Sequence, residues 1–442
     1  MQSRLPKVLH RLGGEPLLCH VLRAARALQP DRIHVVYGHG GEQVRETTGE
    51  TACEDSINWV EQREQLGTGH AVQQVVPHVE SGRQVLVLYG DVPLISARSL
   101  ESLCEAGRDT LAVLTVKLSD PAGYGRIVRD DQGNVVRIVE ERDAAEDELS
   151  LAEVNTGFLA APSDRLGEWL SQVGKENSQG EYYLTDIVEI AVRDGMAVHA
   201  VTADNAWDVA GVNRRSELAL LEREYQKRRA LHLADSGVTV IDPYRLDLRG
   251  DVKVGADCVI DVNVVLEGPV KIGRNVRVGA NCCLTNVLIG DDVIIRPNTV
   301  IEEAVVGNGA MIGPFARIRP GTRLAEDVHV GNFVELKNAE LATGAKVNHL
   351  SYVGDSTVGA HSNIGAGVIT CNYDGAHKHR TEIGDRAFIG SDSQLVAPVR
   401  IGNGATVGAG STITQDVPDN ALAVSRARQR NIKGWKGPGQ DQ

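Results

Sequence analysis

Aromatic residues are scarce in this sequence, 4% of 442, while glycine is abundant at 47 residues, a balance that points to a turn-rich architecture. Positive charge is in deficit: the formal net charge is −13, which argues against a nucleic-acid partner. No apolar run approaches the roughly 18 residues of a membrane span, and the first residues carry no apolar leader core. The seven cysteines include no C-x-x-C and no second cluster at zinc-finger spacing, and Cys282 and Cys283 are adjacent. Reduced thiols and a cytoplasmic location are therefore expected, with no membrane partner. The length leaves room for two or three domains.

Two styles of sequence divide the chain. In the first, strand-like runs ("HVVYG", 34–38; "VLVLYGD", 85–91; "LAVLTVKL", 111–118) alternate with helical patterns such as "PLLCHVLRAARAL" (16–28). That alternation predicts a Rossmann-like α/β domain over 1–212 with a mostly parallel sheet. "GRIVRDDQGNVVRIVEE" reads as a hairpin around a Gly-containing turn. A helix is predicted over 213–237, with Leu218, Leu221 and Tyr225 at i, i+3 and i+7 and Gly237 as its cap.

After about residue 250 aliphatic residues, often followed by Gly, recur every six positions. One series is Val306, Ile312, Ile318, Leu324, Val330 and Leu336; another is Ile383, Ile389, Leu395, Ile401, Val407 and Ile413. Between them Val347, Val353, Val358 and Ile364 keep the pattern with small phase slips. A hexapeptide period predicts a parallel β-helix over 238–425, each short strand turning one aliphatic residue inward. A narrow prism has no space for rings, which accounts for the aromatic deficit. "TCNYDGAHKHRTE" (370–382) interrupts the period and is expected to leave the prism as a loop. Arg319 and Lys337 are three hexapeptides apart and should stack on adjacent coils. The basic stretch after residue 425 reads as a solvated tail (426–442).

The two halves together resemble, end to end, the bifunctional bacterial family of N-acetylglucosamine-1-phosphate uridyltransferase / glucosamine-1-phosphate acetyltransferases. The likeness rests on "LPKVLH", "EQLGTGHA", "LYGDVPLI", "GYGRIV", "VNTGF", "GEYYLTDIV", "GVNRR", "GPFARIRPGT", "GNFVELK", "NHLSYVGD", "NIGAGVITCNYDG" and "IGSDSQLVAP", in that order. It implies a left-handed β-helix, a homotrimer with acetyl-transfer sites between subunits, and small-molecule substrates: glucosamine-1-phosphate, acetyl-CoA, UTP and N-acetylglucosamine-1-phosphate. The product would feed cell-wall and lipopolysaccharide synthesis.

In the first half the resemblance implies that Asp91 and Asn213 hold Mg²⁺ and that Lys7 neutralises nucleotide phosphates. Gln62, Gly67 and Thr68 match uracil contacts, Tyr89 and Gly90, just before Asp91, match UTP/UDP-N-acetylglucosamine-binding positions, and Gly125, Glu140 and Asn155 match sugar contacts. In the second half His349 matches the general base, and Glu335 a glutamate that orients or relays. Arg319, Lys337, Tyr352 and Asn363 match the acceptor sugar-phosphate site. Ala366, Asn372, Tyr373, Ser391, Ala409 and Arg426 match the acetyl-CoA groove.

The family's pattern before "LPKVLH" is a strand and a glycine-rich turn, L-A-A-G-x-G-T-R-M, and the sequence starts at its last letter. Without those phosphate-cradling amides, and with a central strand lost, a polypeptide starting at Met1 is expected to have little uridylyltransferase activity. A misassigned start and a real truncation are both open. Three other readings stay open on residues alone: an acetyltransferase only, a nucleotidyltransferase whose β-helix merely oligomerises, and a β-helix scaffold without catalysis.

Overall fold

The computed structural model describes residues 1, 3–38, 40–50 and 57–436. The chain folds as two compact units, Met1–Tyr225 and Gln226–Gln442, each with an apolar core of its own.

The first unit centres on a six-stranded sheet. In chain order the strands that matter are β1 (Ile33–Tyr37), β2 (Ile57–Glu61), β3 (Gln84–Val87), β4 (Leu111–Lys117), β5 (Arg126–Arg129), β6 (Val135–Val139), β7 (Glu153–Pro162) and β8 (Val198–Thr202). The sheet runs β8-β4-β7-β5-β6, with β3 also on β7, while β1 and β2 form a separate parallel pair. β8 lies parallel to β4, but β3, β4 and β5 all run antiparallel to β7. The sheet is therefore mixed, not mostly parallel. The ten-residue β7 is long enough to serve three neighbours, and alternation of elements along a sequence does not encode strand direction. The hairpin is present as β5–β6, antiparallel around residues 130–134. β4 is buried along nearly its whole length, packed on one face against Leu166, Trp169 and Ile187 and on the other against Leu100 and Leu103. A cavity of about 1410 Å³ lies between β1 and β3, lined by Leu18, Leu22, Val35, Val85 and Leu86 among others.

The linking helix spans Arg215–Asp235. Leu221 is buried and Leu218 and Tyr225 pack beside it against Leu12 and Leu17, the face that the i, i+3, i+7 spacing marked. Gly237 closes the helix in a left-handed conformation, φ 96°, a geometry costly for any residue with a Cβ.

The second unit is a left-handed parallel β-helix of about ten turns. Every pairing in its two long sheets is parallel, 11 strands in one and 17 in the other. Hydrogen-bonded partners on successive coils are mostly 17 or 18 residues apart, and 16 near the C-terminal end, which is the physical content of the phase slips. All members of both hexapeptide series, and Val347, Val353, Val358 and Ile364 between them, are at most 5% exposed. The core contains Val, Ile, Leu, Ala and Cys and no ring, while Phe315, Phe333 and Phe388 stand outside. Corners are turned by Asn and Asp with positive φ, including Asn263, Asn281 and Asn298. The carboxamides of those three form a ladder, Asn263 donating to Asn281 at 3.0 Å and Asn281 to Asn298 at 3.2 Å. One coil is longer than the rest: Ser362 and Ala387, 25 residues apart, are joined across one rise. The excess is the segment around Asn372–Arg380, leaving the prism as a loop.

Candidate active sites

In the first unit a short 3-10 turn, Lys7–Leu9, lays Val8 against Gly90, where a Cβ would meet the Val8 and Leu18 side chains at 3.3 Å. The next residue is Asp91, and the Lys7 ammonium pairs with its carboxylate. The same ammonium donates to Asn213 Oδ1 at 2.8 Å across 206 residues. The Val212 amide donates to the Asp91 carbonyl at 3.0 Å, tying the two loops together. Three sequence-predicted residues thus converge, and their oxygens are already arranged around a cation.

Beside them lies a turn over 62–69. The Gln62 carboxamide donates to the Gly67 carbonyl at 3.1 Å, and the Leu184 amide donates to Thr68 Oγ1 at 3.1 Å. Gly67 has φ 113°, and a Cβ there would lie 2.6 Å from the Tyr182 carbonyl oxygen, so only glycine fits. Tyr89 is partly buried with its hydroxyl bonded to Thr68, and desolvation pushes its phenol up to about 12, so it is neutral. Gly157 is bare because the Tyr89 ring occupies the space of its Cβ. The sugar-contact set is also contiguous: the Asn155 amide donates to the Gly125 carbonyl at 2.8 Å, and a Gly125 Cβ would meet the Glu140 carboxylate at 3.5 Å. Burial raises the Glu140 carboxyl, opposed by a 3.1 Å bond from Thr185. Asp186, not singled out from sequence, is pushed up to about 6, first by burial and then by Glu140, Glu189 and Asp143. It lies within "GEYYLTDIV", but the sequence does not mark it out, because Glu140 and Asp143 come from a distant segment and only Glu189 is local.

In the second unit the candidates climb successive coils. Arg317, Glu335 and Tyr352 occupy one register column. Arg319 hydrogen-bonds its amide to the Leu336 carbonyl at 2.9 Å, so it lies one coil below Lys337, as the spacing predicted. Its guanidinium donates to Glu335 at 2.7 Å. Lys337 lies 3.5 Å from Asp355. His349 is in register with Asn332 one coil below, and its Nδ1 meets Asn332 Oδ1 at 3.0 Å. An amide oxygen only accepts, so the tautomer that satisfies this contact is the one with the proton on Nδ1 and the acceptor at Nε2. Asn332 is a partner that sequence reading missed; its signal is the 17-residue separation from His349, one coil.

Upward from His349, the Gly367 amide bonds the His349 carbonyl at 3.3 Å, and Ala366 precedes it. The Asp392 amide donates to the Ala366 carbonyl at 2.7 Å and the Gly410 amide to the Ser391 carbonyl at 2.8 Å. Ala366, Ser391 and Ala409 therefore occupy one corner on successive coils, a strip of small residues. Arg426 closes its upper end by donating to the Ala409 carbonyl at 2.7 Å. Asn372 is buried at the root of the loop and its amide reaches the Tyr352 hydroxyl at 3.5 Å, whereas Tyr373 is exposed. Asn363 sits in register between Lys346 and Phe388, on the strip side of His349.

Three family models match the chain: the MobA-like NTP transferase domain over residues 1–145, the GMPPB C-terminal domain over 248–339, and the bacterial transferase hexapeptide (six repeats) over 380–415. Curated relatives align along nearly the whole length. The bifunctional protein GlmU of Aromatoleum aromaticum is 54% identical over 99% of this chain and 96% of its own. That of Stutzerimonas stutzeri is 55% identical with the same coverage, and that of Nitrosospira multiformis 53% over 99% and 95%. The chain belongs to the bifunctional GlmU family, enzymes that are both glucosamine-1-phosphate acetyltransferases and N-acetylglucosamine-1-phosphate uridylyltransferases.

Proposed function

We propose that the two activities are divided between the units, acetyl transfer in the β-helix and uridylyl transfer in the α/β unit, on the residues described above. The observation that carries this reading is His349, held by one ring nitrogen with the other free, with Arg319, Lys337 and Tyr352 on the adjoining coils.

For acetyl transfer, Arg319 and Lys337 take the phosphate of glucosamine-1-phosphate, the guanidinium through paired N–H donors. An ammonium is no nucleophile, so the amine must shed a proton as it attacks the thioester carbonyl carbon. His349 Nε2 accepts that proton, the Asn332 bond fixing the ring. The C–S bond breaks, and coenzyme A leaves as a thiolate that takes up a proton. The strip Ala366–Ser391–Ala409 offers a bare corner for the acetyl-CoA chain, with Asn372, Tyr373 and Arg426 along it. The Glu335 carboxylate holds Arg319 in place.

For uridylyl transfer, the phosphate oxygen of N-acetylglucosamine-1-phosphate attacks the α-phosphorus of UTP in line and pyrophosphate departs. Gln62, Gly67 and Thr68 present the base site, Gly125, Glu140 and Asn155 the sugar site, and Lys7 neutralises phosphate charge. A carboxylate and an amide oxygen suit a hard divalent cation, and the Lys7 ammonium already rests on both, so Asp91 and Asn213 fit Mg²⁺. When bound, that ion would neutralise charge on the triphosphate. A homotrimer and a cytoplasmic setting belong to the same reading; no helix among the described residues is long and apolar enough to cross a membrane.

The test is substitution at each site in the full chain. His349→Ala is expected to lower acetyl transfer by about 10²–10⁴, the usual worth of a general base, and to leave uridylyl transfer unchanged. Survival of acetyl transfer would remove His349 from the role.

A further inference from the structure

Asp355 lies in neither substrate set, yet its carboxylate is the point where they meet. It sits on strand Tyr352–Val358, one coil above Asn338, in the column between Lys337–Gly354 and Ala339–Ser356. Both Asn338 (φ 46°) and Asp355 (φ 47°) are left-handed, a conformation in which Asn and Asp are the favoured side chains after glycine. Only 13% of the Asp355 side chain is exposed. Its Oδ1 accepts from Asn338 Nδ2 at 2.8 Å, while Oδ2 accepts from the Asn372 carboxamide and lies 3.5 Å from the Lys337 ammonium. Lys378, on the loop, is near enough for its charge to act on Lys337, and the Asp355 carboxylate acts on both ammonium groups.

We propose that Asp355 is a positioning residue for acetyl transfer, holding the acceptor-site Lys337 and the donor-side Asn372 on one carboxylate so that both subsites form together. The inference rests on the reading of Lys337 and Asn372 given above. Three donors spend the lone pairs of a largely desolvated carboxylate, which is why it stays ionised: burial pushes its pKa up, and the bonds from Asn338 and Asn372 with the Lys337 charge bring it below the ordinary range. Removing the charge leaves Lys337 without its counter-ion and weakens the acceptor that the Asn372 amide uses. Both the ammonium and the root of the loop then lose their fixed positions.

The experiment is steady-state kinetics of both reactions in the full chain carrying Asp355→Asn, an isosteric neutral change. Expected are rises of about tenfold in KM for glucosamine-1-phosphate and a clear rise for acetyl-CoA, with a smaller change in kcat. Uridylyl transfer in the same preparation should be unchanged, which a global loss of structure would not allow. In a double-mutant cycle with Lys337→Ala, the double variant should bind the acceptor no worse than Lys337→Ala alone. Additive effects, or both KM values within about twofold of the wild type, overturn the role. If Asp355→Asn does not fold, Asn372→Ala carries the test: it should raise the KM for acetyl-CoA and, through the loosened carboxylate, that for the acceptor, and a wild-type acceptor KM would overturn the link. If Lys337→Ala itself leaves acceptor KM unchanged, the site reading fails and this inference with it; if Lys337→Ala weakens the acceptor and Asp355→Asn does not, the inference alone fails.

Discussion

At the residue scale the base role proposed for His349 rests on one contact: Nδ1–H donates to Asn332 Oδ1, which leaves Nε2 as the ring's acceptor. Asn332→Ala should therefore lower kcat for acetyl transfer by about tenfold while leaving both KM values near wild type, the pattern of a mis-set tautomer in place of lost binding. In the other unit Asp186 gives a pH signature. Its carboxyl is raised to about 6 in the folded protein, well above the usual aspartate range. A raised acid costs nothing while protonated in both states, and its ionisation opposes folding increasingly as pH climbs from the usual aspartate range to the raised value. Asp186→Asn should thus stabilise the protein at pH about 7.5, by at most about 1 kcal/mol once solvent reaching this half-buried group is allowed for, with the gain fading by pH about 4. Thermal midpoints across pH check the sign. His349, Arg319, Lys337 and Asp91 stand out in the sequence because the resemblance attaches a role to each of them. Asn332, Asp355 and Asp186 lie in quoted motifs too, "GNFVELK", "NHLSYVGD" and "GEYYLTDIV", but their meaning depends on neighbours one coil or several loops away.

Among the elements, the coil is the unit of stability, because each rung buries its aliphatic residue only against the rungs above and below. Leu336 is fully buried between Glu335 and Lys337, one coil above Ile318. Leu336→Ala should cost about 2–5 kcal/mol and weaken acceptor binding as well, since it loosens the strand that carries both flanking residues; calorimetry and acetyl-transfer KM measure the two effects. The hexapeptide period made the β-helix legible because one inward residue per short strand writes itself directly into the sequence. The 17-residue coils, the asparagine ladder and the mixed sheet of the first unit were not legible. A slip of one residue at a corner barely disturbs the period, and local alternation of helix and strand is silent on which strand pairs with which. Gly67 marks a similar boundary: "GTG" is visible in the sequence, but the reason only glycine fits is the Tyr182 carbonyl 2.6 Å from where a Cβ would be. Gly67→Ala should reduce uridylyl transfer with UTP KM rising, and leave acetyl transfer as it was.

For the whole molecule, end-to-end kinship with the bifunctional GlmU proteins joins two unlike units into one reaction sequence, with the acetylated product of one site serving as the acceptor at the other. A trimer should appear in light scattering as three times the chain mass, and acetyl transfer should fall on dilution below the trimer's dissociation range if neighbouring copies complete each site. The division of labour is tested most directly by following product masses from the purified full chain given Mg²⁺, UTP, acetyl-CoA and glucosamine-1-phosphate. On the bifunctional reading, which the end-to-end kinship favours over an acetyltransferase that has lost uridylyl transfer, UDP-N-acetylglucosamine is expected from the wild type, none from His349→Ala, and its return when His349→Ala is supplied with N-acetylglucosamine-1-phosphate. Continued conversion of glucosamine-1-phosphate by His349→Ala, or no product from either protein with either sugar phosphate, would contradict that division.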